Sequence, residues 1–192
     1  MRPYPRFSKM ARHLCRGGLR FLLVELKREL EQLTGHIEQA EALIQRAAQQ
    51  SEVCQRLDAI PGIGPLTATA LIAAIGNGEA FRKGREFAAW VGLVPREHST
   101  GGKQKLLGIS KRGNSYLRKL FVQGARAVLQ FRDKQSPGLS AWLAQLSART
   151  HYNIVGVALA DKLARIAWAV LARGDAYRPP ALANAGLQMA AV

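Results

Sequence analysis

Between Leu23 and Ala47 apolar residues return at alternating three- and four-residue steps. Leu23, Leu30, Ile37 and Ile44 hold one seam position, and Leu26, Leu33, Ala40 and Ala47 hold the other. That spacing draws one apolar stripe along a helix and favours a partner helix lying on it. Glu25, Lys27, Arg28, Glu29 and Glu31 occupy the remaining faces. Gly35 weakens the middle by about 1 kcal/mol relative to alanine. The pattern predicts a coiled-coil helix over 21–56, serving a helical hairpin or a dimer. An amphipathic helix packed on its own domain is the plainer alternative.

From Leu57 the pattern changes to LDAIPGIGPLTATALIAAIG, in which acids thin out and small residues dominate. Gly64 suits a cap, Pro65 the first helical position and Gly76 the residue past the end, which predicts a helix over 65–75. Such a helix is apolar all round, so burial on every face is expected. A short helix over 85–91 should turn Phe87, Ala88 and Trp90 inward and stop at Gly92. Residues 93–114 lack helical period and read as a loop or short hairpin. Asn114 can cap a helix over 115–131, with Leu117, Leu120, Phe121, Gly124 and Val128 inside and Arg118, Lys119, Arg126 and Gln130 outside. After a turn at Ser136-Pro137-Gly138 comes a helix over 139–148. A last long helix starts near Asn153, carries Val155, Leu159, Leu163, Ile166 and Val170 on one face, and ends at Gly174. The fold class is mainly α: a coiled-coil helix, then a helical domain with a helix-hairpin-helix-like turn and a basic Gly/Ser/Lys loop. The organisation expected is a basic arm over 1–20, the coiled-coil helix over 21–56, a main domain over 57–178 and a flexible tail over 179–192.

Charge sharpens this picture. Among 192 residues, 28 Lys and Arg face 13 Asp and Glu, a formal net charge of +15. With 48% hydrophobic residues the chain has material for a core, so the excess charge sits on a folded surface. Such a surface calls for an anionic partner, nucleic acid first and a membrane surface second. Arg2, Arg6, Lys9, Arg12, Arg16 and Arg20 stand in an arm without acids, where Pro3 and Pro5 oppose helix. No apolar run is long enough to span a bilayer, and the N-terminus lacks a small-residue cleavage site, so a cytoplasmic location is expected. Cys15 and Cys54 are too few and too far apart for a disulfide scaffold or a zinc finger.

Two segments carry candidate chemistry. The turn Ile60-Pro61-Gly62-Ile63-Gly64-Pro65 has helix-hairpin-helix form. Gly62 and Gly64 would let backbone approach a phosphate, and the following helix start would add a positive pole. Residues 96–119 hold Arg96, Lys103, Lys105, Lys111, Arg112, Arg118 and Lys119 against one acid, Glu97. Gly101, Gly102, Gly108 and Gly113 interleave, and Ser99, Thr100, Ser110, Asn114 and Ser115 offer neutral hydrogen bonds. This mixture suits a nucleic-acid backbone. Ser99 amid glycines and cations could be presented to a phosphate, although Ser-Thr-Gly-Gly is also ordinary turn chemistry. His98 is a conceivable neighbouring base. His13, His36 and His151 read as structural or solvated. The acids are scattered, and no carboxylate cluster of the kind two-metal sites need is evident.

Three ordered blocks, PGIGPLTATALIAAIG, FRKGREFAAWVGLVPREHSTGGKQKLLGISKRGNSYLRKLFVQGARAVL and VALADKLARIAWAVLARG, resemble the C-terminal transposase domain of the insertion-sequence-110/116/902 group. The Ser-Thr-Gly-Gly-Lys variant is similar to its 1111 branch. The resemblance covers about residues 57 to 178, and the heptad helix sits where that family joins two domains by a coiled coil. It implies a DNA recombinase of a mobile element, whose serine nucleophile joins covalently to DNA. On this sequence that serine falls at Ser99, with the β-branched Thr100 as the alternative. The turn and the basic segment together give Gly62, Gly64, Arg96, Lys103, Lys105, Ser110, Lys111, Arg112, Asn114 and Arg118 as the candidate nucleic-acid contacts. The resemblance also implies partners: DNA, a guide RNA in the manner of members that use one, and a second copy of the chain through the coiled coil. The family's magnesium belongs to an N-terminal RuvC-like domain with four acidic residues, to which this sequence offers no counterpart, so no cofactor is expected on this chain itself. A non-catalytic nucleic-acid-binding remnant of a transposase is the alternative reading.

Overall fold

The computed structural model describes residues 17–100 and 105–180. Most of the basic arm (with Cys15 and His13), Gly101, Gly102, Lys103 and the tail beyond 180 lie outside the described residues. The fold is mainly α, as the hydrophobic pattern predicts. It divides into two units, Met1–Leu43 and Ile44–Val192.

The described part of the first unit is helix throughout. It is the N-terminal portion of α1 (Gly17–Gln49), which runs through Gly35 unbroken. Leu23, Leu26, Leu30, Leu33 and Ile37 are all exposed, as are Phe21, Leu22 and Val24. Lys27 with Glu31 and Arg28 with Glu25, each at 3.6 Å, support the helix from its polar faces.

The helix does not continue to residue 56 as the sequence pattern predicts. It ends at Gln49, and Ser51 adopts an extended backbone and caps α2 (Glu52–Asp58), its hydroxyl accepting from the Cys54 amide at 3.3 Å. Ser51 thereby satisfies one of the amides that a helix start leaves open. The restart turns Cys54 and Leu57 into the core of the second unit, where Ala48 is also buried.

That core is built around α7 (Tyr152–Arg173), whose Val155, Leu159, Ala160, Leu163, Ala164 and Ala167 are inaccessible. His151 caps it, its Nδ1 accepting from the Asn153 amide at 3.2 Å, and Gly174 ends it in the left-handed region. Packed on α7 are α4 (Gly84–Val91), α5 (Ser115–Gln130) and α6 (Pro137–Ser147). Phe87 of α4 meets the Phe121 ring of α5 edge-on at 6.1 Å, which locks these two helices together.

Two burial expectations are corrected. The apolar helix α3 (Pro65–Ile75) buries only Thr67, Ala68 and Leu71, leaving Leu66, Ala73 and Ala74 exposed. It packs on α2 and α5 along one face alone, because the core already closes around α7. Trp90 is 37% exposed instead of turned inward. Its ring lies on Phe81 and Phe87 at the margin of the core. No helix of the described residues is long and apolar enough to cross a membrane.

Candidate nucleic-acid interface

Helix α4 ends at Gly92, left-handed at φ 82°. Helical geometry leaves its last carbonyls without intrahelical partners, and the basic segment supplies them. The Asn114 amide donates to the Trp90 carbonyl at 3.4 Å, and the Lys111 amide donates to the Gly92 carbonyl at 3.2 Å. Arg118 donates through Nη1 to the Val91 carbonyl at 2.9 Å and to the Arg112 carbonyl at 3.3 Å. A cation here also complements the negative end of α4.

The approach is backbone to backbone. A Cβ on Gly113 would lie 1.7 Å from the Trp90 carbonyl oxygen, and one on Gly92 would lie 2.0 Å from that of Arg112. Lys111 itself takes a left-handed backbone at φ 57°, uncommon for a residue with a side chain. The turn is therefore pinned, while the Lys111 and Arg112 side chains stay exposed. Asn114 spends its side chain inside the fold. Its Oδ1 accepts from the Tyr116 and Leu117 amides at 3.1 and 3.0 Å and caps α5.

Ahead of the turn, β1 (Pro95–Glu97) pairs antiparallel with β2 (Leu106–Ile109). Pro95 faces Ile109 and Glu97 faces Leu106, with an irregularity between them. The His98 amide donates to the Lys105 carbonyl at 2.9 Å, and the Ser110 amide to the Val94 carbonyl at 2.9 Å. Of the loop and hairpin alternatives, the hairpin is what forms. Arg96, His98, Ser99, Thr100 and Lys105 are exposed on it, and Ser110 is half-buried at its base. The Ser99 hydroxyl donates to the Glu97 carboxylate. Glu97, not the adjacent His98, is the group that meets this hydroxyl. Residues two apart on an extended strand share a face, a signal that the bare count of acids passed over.

Gly62 and Gly64 behave differently from each other. Gly62 has φ +81°, and a Cβ there would meet the Gly124 carbonyl oxygen at 2.7 Å and Val128 Cγ2 at 2.8 Å. Reciprocally, a Cβ on Gly124 would sit 1.9 Å from the Gly62 carbonyl oxygen. Gly62 thus serves close packing of its turn on α5. Gly64 caps α3 with an extended backbone, with no side-chain cap and open space around its Cβ position. It leaves the start of α3 accessible, which suits an anion.

The structure therefore gathers Arg96, Ser99, Thr100, Lys105, Ser110, Lys111, Arg112, Asn114 and Arg118 on one hairpin and the helix start behind it. Gly62 and Gly64 lie on a separate turn against the middle of α5. Arg118, read from sequence as an outward contact, is half-buried and ties α4 to the turn. Among the described residues no group of three or more His, Cys, Asp or Glu side chains is placed to hold a metal ion.

Residues 54–139 match the family model described as Transposase IS116/IS110/IS902 family. A probable family 20 transposase of Pseudomonas aeruginosa is 51% identical over 158 residues, covering 82% of this chain and 47% of that protein. The transposase for insertion sequence element IS1328 of Yersinia enterocolitica is 44% identical, covering 81% of this chain and 47% of its own. The transposase for insertion sequence element IS1111A of Coxiella burnetii is 43% identical, covering 83% and 43%. The chain spans about half the length of these curated relatives. From α2 through the hairpin to the start of α6, residues 54–139 are a transposase domain of the IS116/IS110/IS902 family.

Proposed function

We propose that this chain is the DNA-joining region of an insertion-sequence transposase, holding DNA with its basic hairpin and supplying Ser99 as the nucleophile. The observation that carries this reading is the seating of residues 110–114 on the end of α4. A loop packed so tightly has lost its conformational freedom before any ligand arrives, so its exposed cations meet phosphates at small further entropic cost. Arg96, Lys105, Lys111 and Arg112 neutralise the backbone, with Lys103 as a further cation of the same segment. Such contacts position DNA without reading its sequence. Gly64 offers the start of α3 as a second phosphate contact.

In the joining step the Ser99 oxygen attacks phosphorus. Its proton leaves to the Glu97 carboxylate and the P–O bond to the departing deoxyribose oxygen breaks, that oxygen taking a proton from water. Glu97 orients the hydroxyl beforehand. Magnesium, where the reaction uses it, would be brought by an acidic RuvC-like domain and not by the carboxylates found here. Helix α1 pairs with α1 of a second copy along its exposed heptad stripe. A guide RNA would meet the same basic surface, since phosphate contacts serve both nucleic acids.

The test mixes the purified chain with labelled element-end DNA and magnesium, with and without a separately supplied RuvC-like domain. A denaturant-resistant protein–DNA adduct is expected with the added domain, lost in Ser99→Ala and kept in Thr100→Ala. Salt-sensitive binding without adduct under any condition would leave a non-catalytic nucleic-acid-binding region.

A further inference from the structure

Helix α7 and residues 175–180 enclose an open groove of about 440 Å³, away from the hairpin in sequence. Lys162, Arg173 and Arg178 line it, with Asp175 as the acid and Tyr177 as the aromatic wall. The volume suits one nucleotide unit, not a long peptide.

The three cations of this groove outnumber its one acid. One turn along from Asp161, Arg165 is paired with that carboxylate at 2.9 Å. Among the described residues, by contrast, no carboxylate lies within ion-pair distance of Lys162, Arg173 or Arg178. Lys162 is half-buried, its ammonium 4.8 Å from the centre of the Trp142 ring of α6. Burial, and after it the charge of Arg165, hold its ammonium below the usual lysine range. A cation that has given up part of its hydration without a carboxylate nearby gains strongly from an anion that enters. The negative end of α7 opposes such an anion only weakly, because the Arg56 guanidinium donates to the Gly174 carbonyl there. Tyr177 offers an aromatic ring at the same wall, the second element of single-strand recognition.

We infer that this groove binds single-stranded nucleic acid, with a phosphodiester between Lys162 and Arg178 and a base against Tyr177. The ligand class rests on the nucleic-acid reading above, but the residues are separate from the hairpin.

The experiment titrates the full chain with a fluorescent dT tetranucleotide at fixed salt. Lys162→Met and Arg178→Gln are each compared with wild type and with the hairpin variant Lys111→Gln/Arg112→Gln, and the groove changes are repeated in that hairpin background. Each groove change should weaken binding about tenfold, the loss of one charge-assisted contact. That loss should persist in the hairpin background, and Lys162→Met should melt no lower than wild type. A Lys162→Met chain and an Arg178→Gln chain that melt normally and bind the tetranucleotide like wild type would overturn the groove. Loss in the groove variants with none in the hairpin variant would uphold the groove and count against the hairpin as the DNA contact. An abasic tetranucleotide bound as tightly as dT would remove Tyr177 from the proposal.

Discussion

At the end of α4, backbone lies on backbone with no room for a Cβ at Gly92 or Gly113, and the carbonyls find donors in Asn114, Lys111 and Arg118. Along α1, Leu23, Leu26, Leu30, Leu33 and Ile37 stand exposed. The first region satisfies its backbone within the chain and leaves the Lys111 and Arg112 side chains exposed. The second leaves a row of exposed apolar side chains. Rigidity under a basic loop and an unfilled stripe on a helix are thus different kinds of structural sign. The one is preorganisation, the other an invitation to a partner.

The comparison can be broken first at the seat. Gly113→Ala places a methyl within 1.7 Å of the Trp90 oxygen at a left-handed backbone. A cost of about 3 kcal/mol or more is expected, lowering the melting temperature by roughly 6–12 °C. Gly124→Ala, at 1.9 Å from the Gly62 oxygen, should behave alike. A melting curve within roughly 2 °C of wild type would show the seat to be soft.

Next comes Arg118→Met, which strips two carbonyls of a charged donor. A loss of about 1.5–3 kcal/mol in denaturant unfolding is expected, with Arg118→Lys recovering part of it. A purely solvated arginine would show neither change. Asn114→Ala should cost about 1 kcal/mol when the α5 cap is removed.

On the other side of the comparison, Leu30→Glu with Leu33→Glu should change the stability of the 44–180 unit by less than about 0.5 kcal/mol. The same pair should abolish self-association in sedimentation. Persistence of the dimer would move the partner surface off the α1 stripe.

The smallest effect concerns pH. Burial, opposed by the ion pair to Arg165, raises the Asp161 carboxyl above 3.8. The folded chain then holds that proton more tightly than the unfolded one, so stability falls as pH rises from 3.8 through the raised value. Asp161→Asn should flatten that part of the unfolding profile.

Much of the helical frame was legible because its punctuation is local. Pro65 after Gly64, the Asn114 cap and the Gly174 stop each act within one turn of their own residue, and each marks the boundary observed, whereas Pro137 and Gly138, expected in a turn, form the first residues of α6. Periodicity gave the faces of α5 and α7 for the same reason. What depends on neighbours was not legible. The sequence pattern predicts one helix over 21–56, yet Ser51 restarts the helix because Cys54 and Leu57 have a core to enter. An apolar α3 reads as fully buried until the elements around it prove too few. At the candidate site, the cluster of cations was visible in the sequence, whereas the division of labour within it was not. Arg118 and Asn114 serve the scaffold, Gly62 serves packing against Gly124, and Glu97 reaches Ser99 only because β1 is extended.

The most direct test of a pinned basic turn as the DNA contact is the salt dependence of duplex binding in Lys111→Gln/Arg112→Gln against wild type. With two fewer phosphates neutralised, the slope of log K against log salt should become shallower by about 1.8, at roughly 0.9 per phosphate, with the melting temperature unchanged. An unchanged slope in a normally folded variant would contradict it, and would place the DNA elsewhere on the chain.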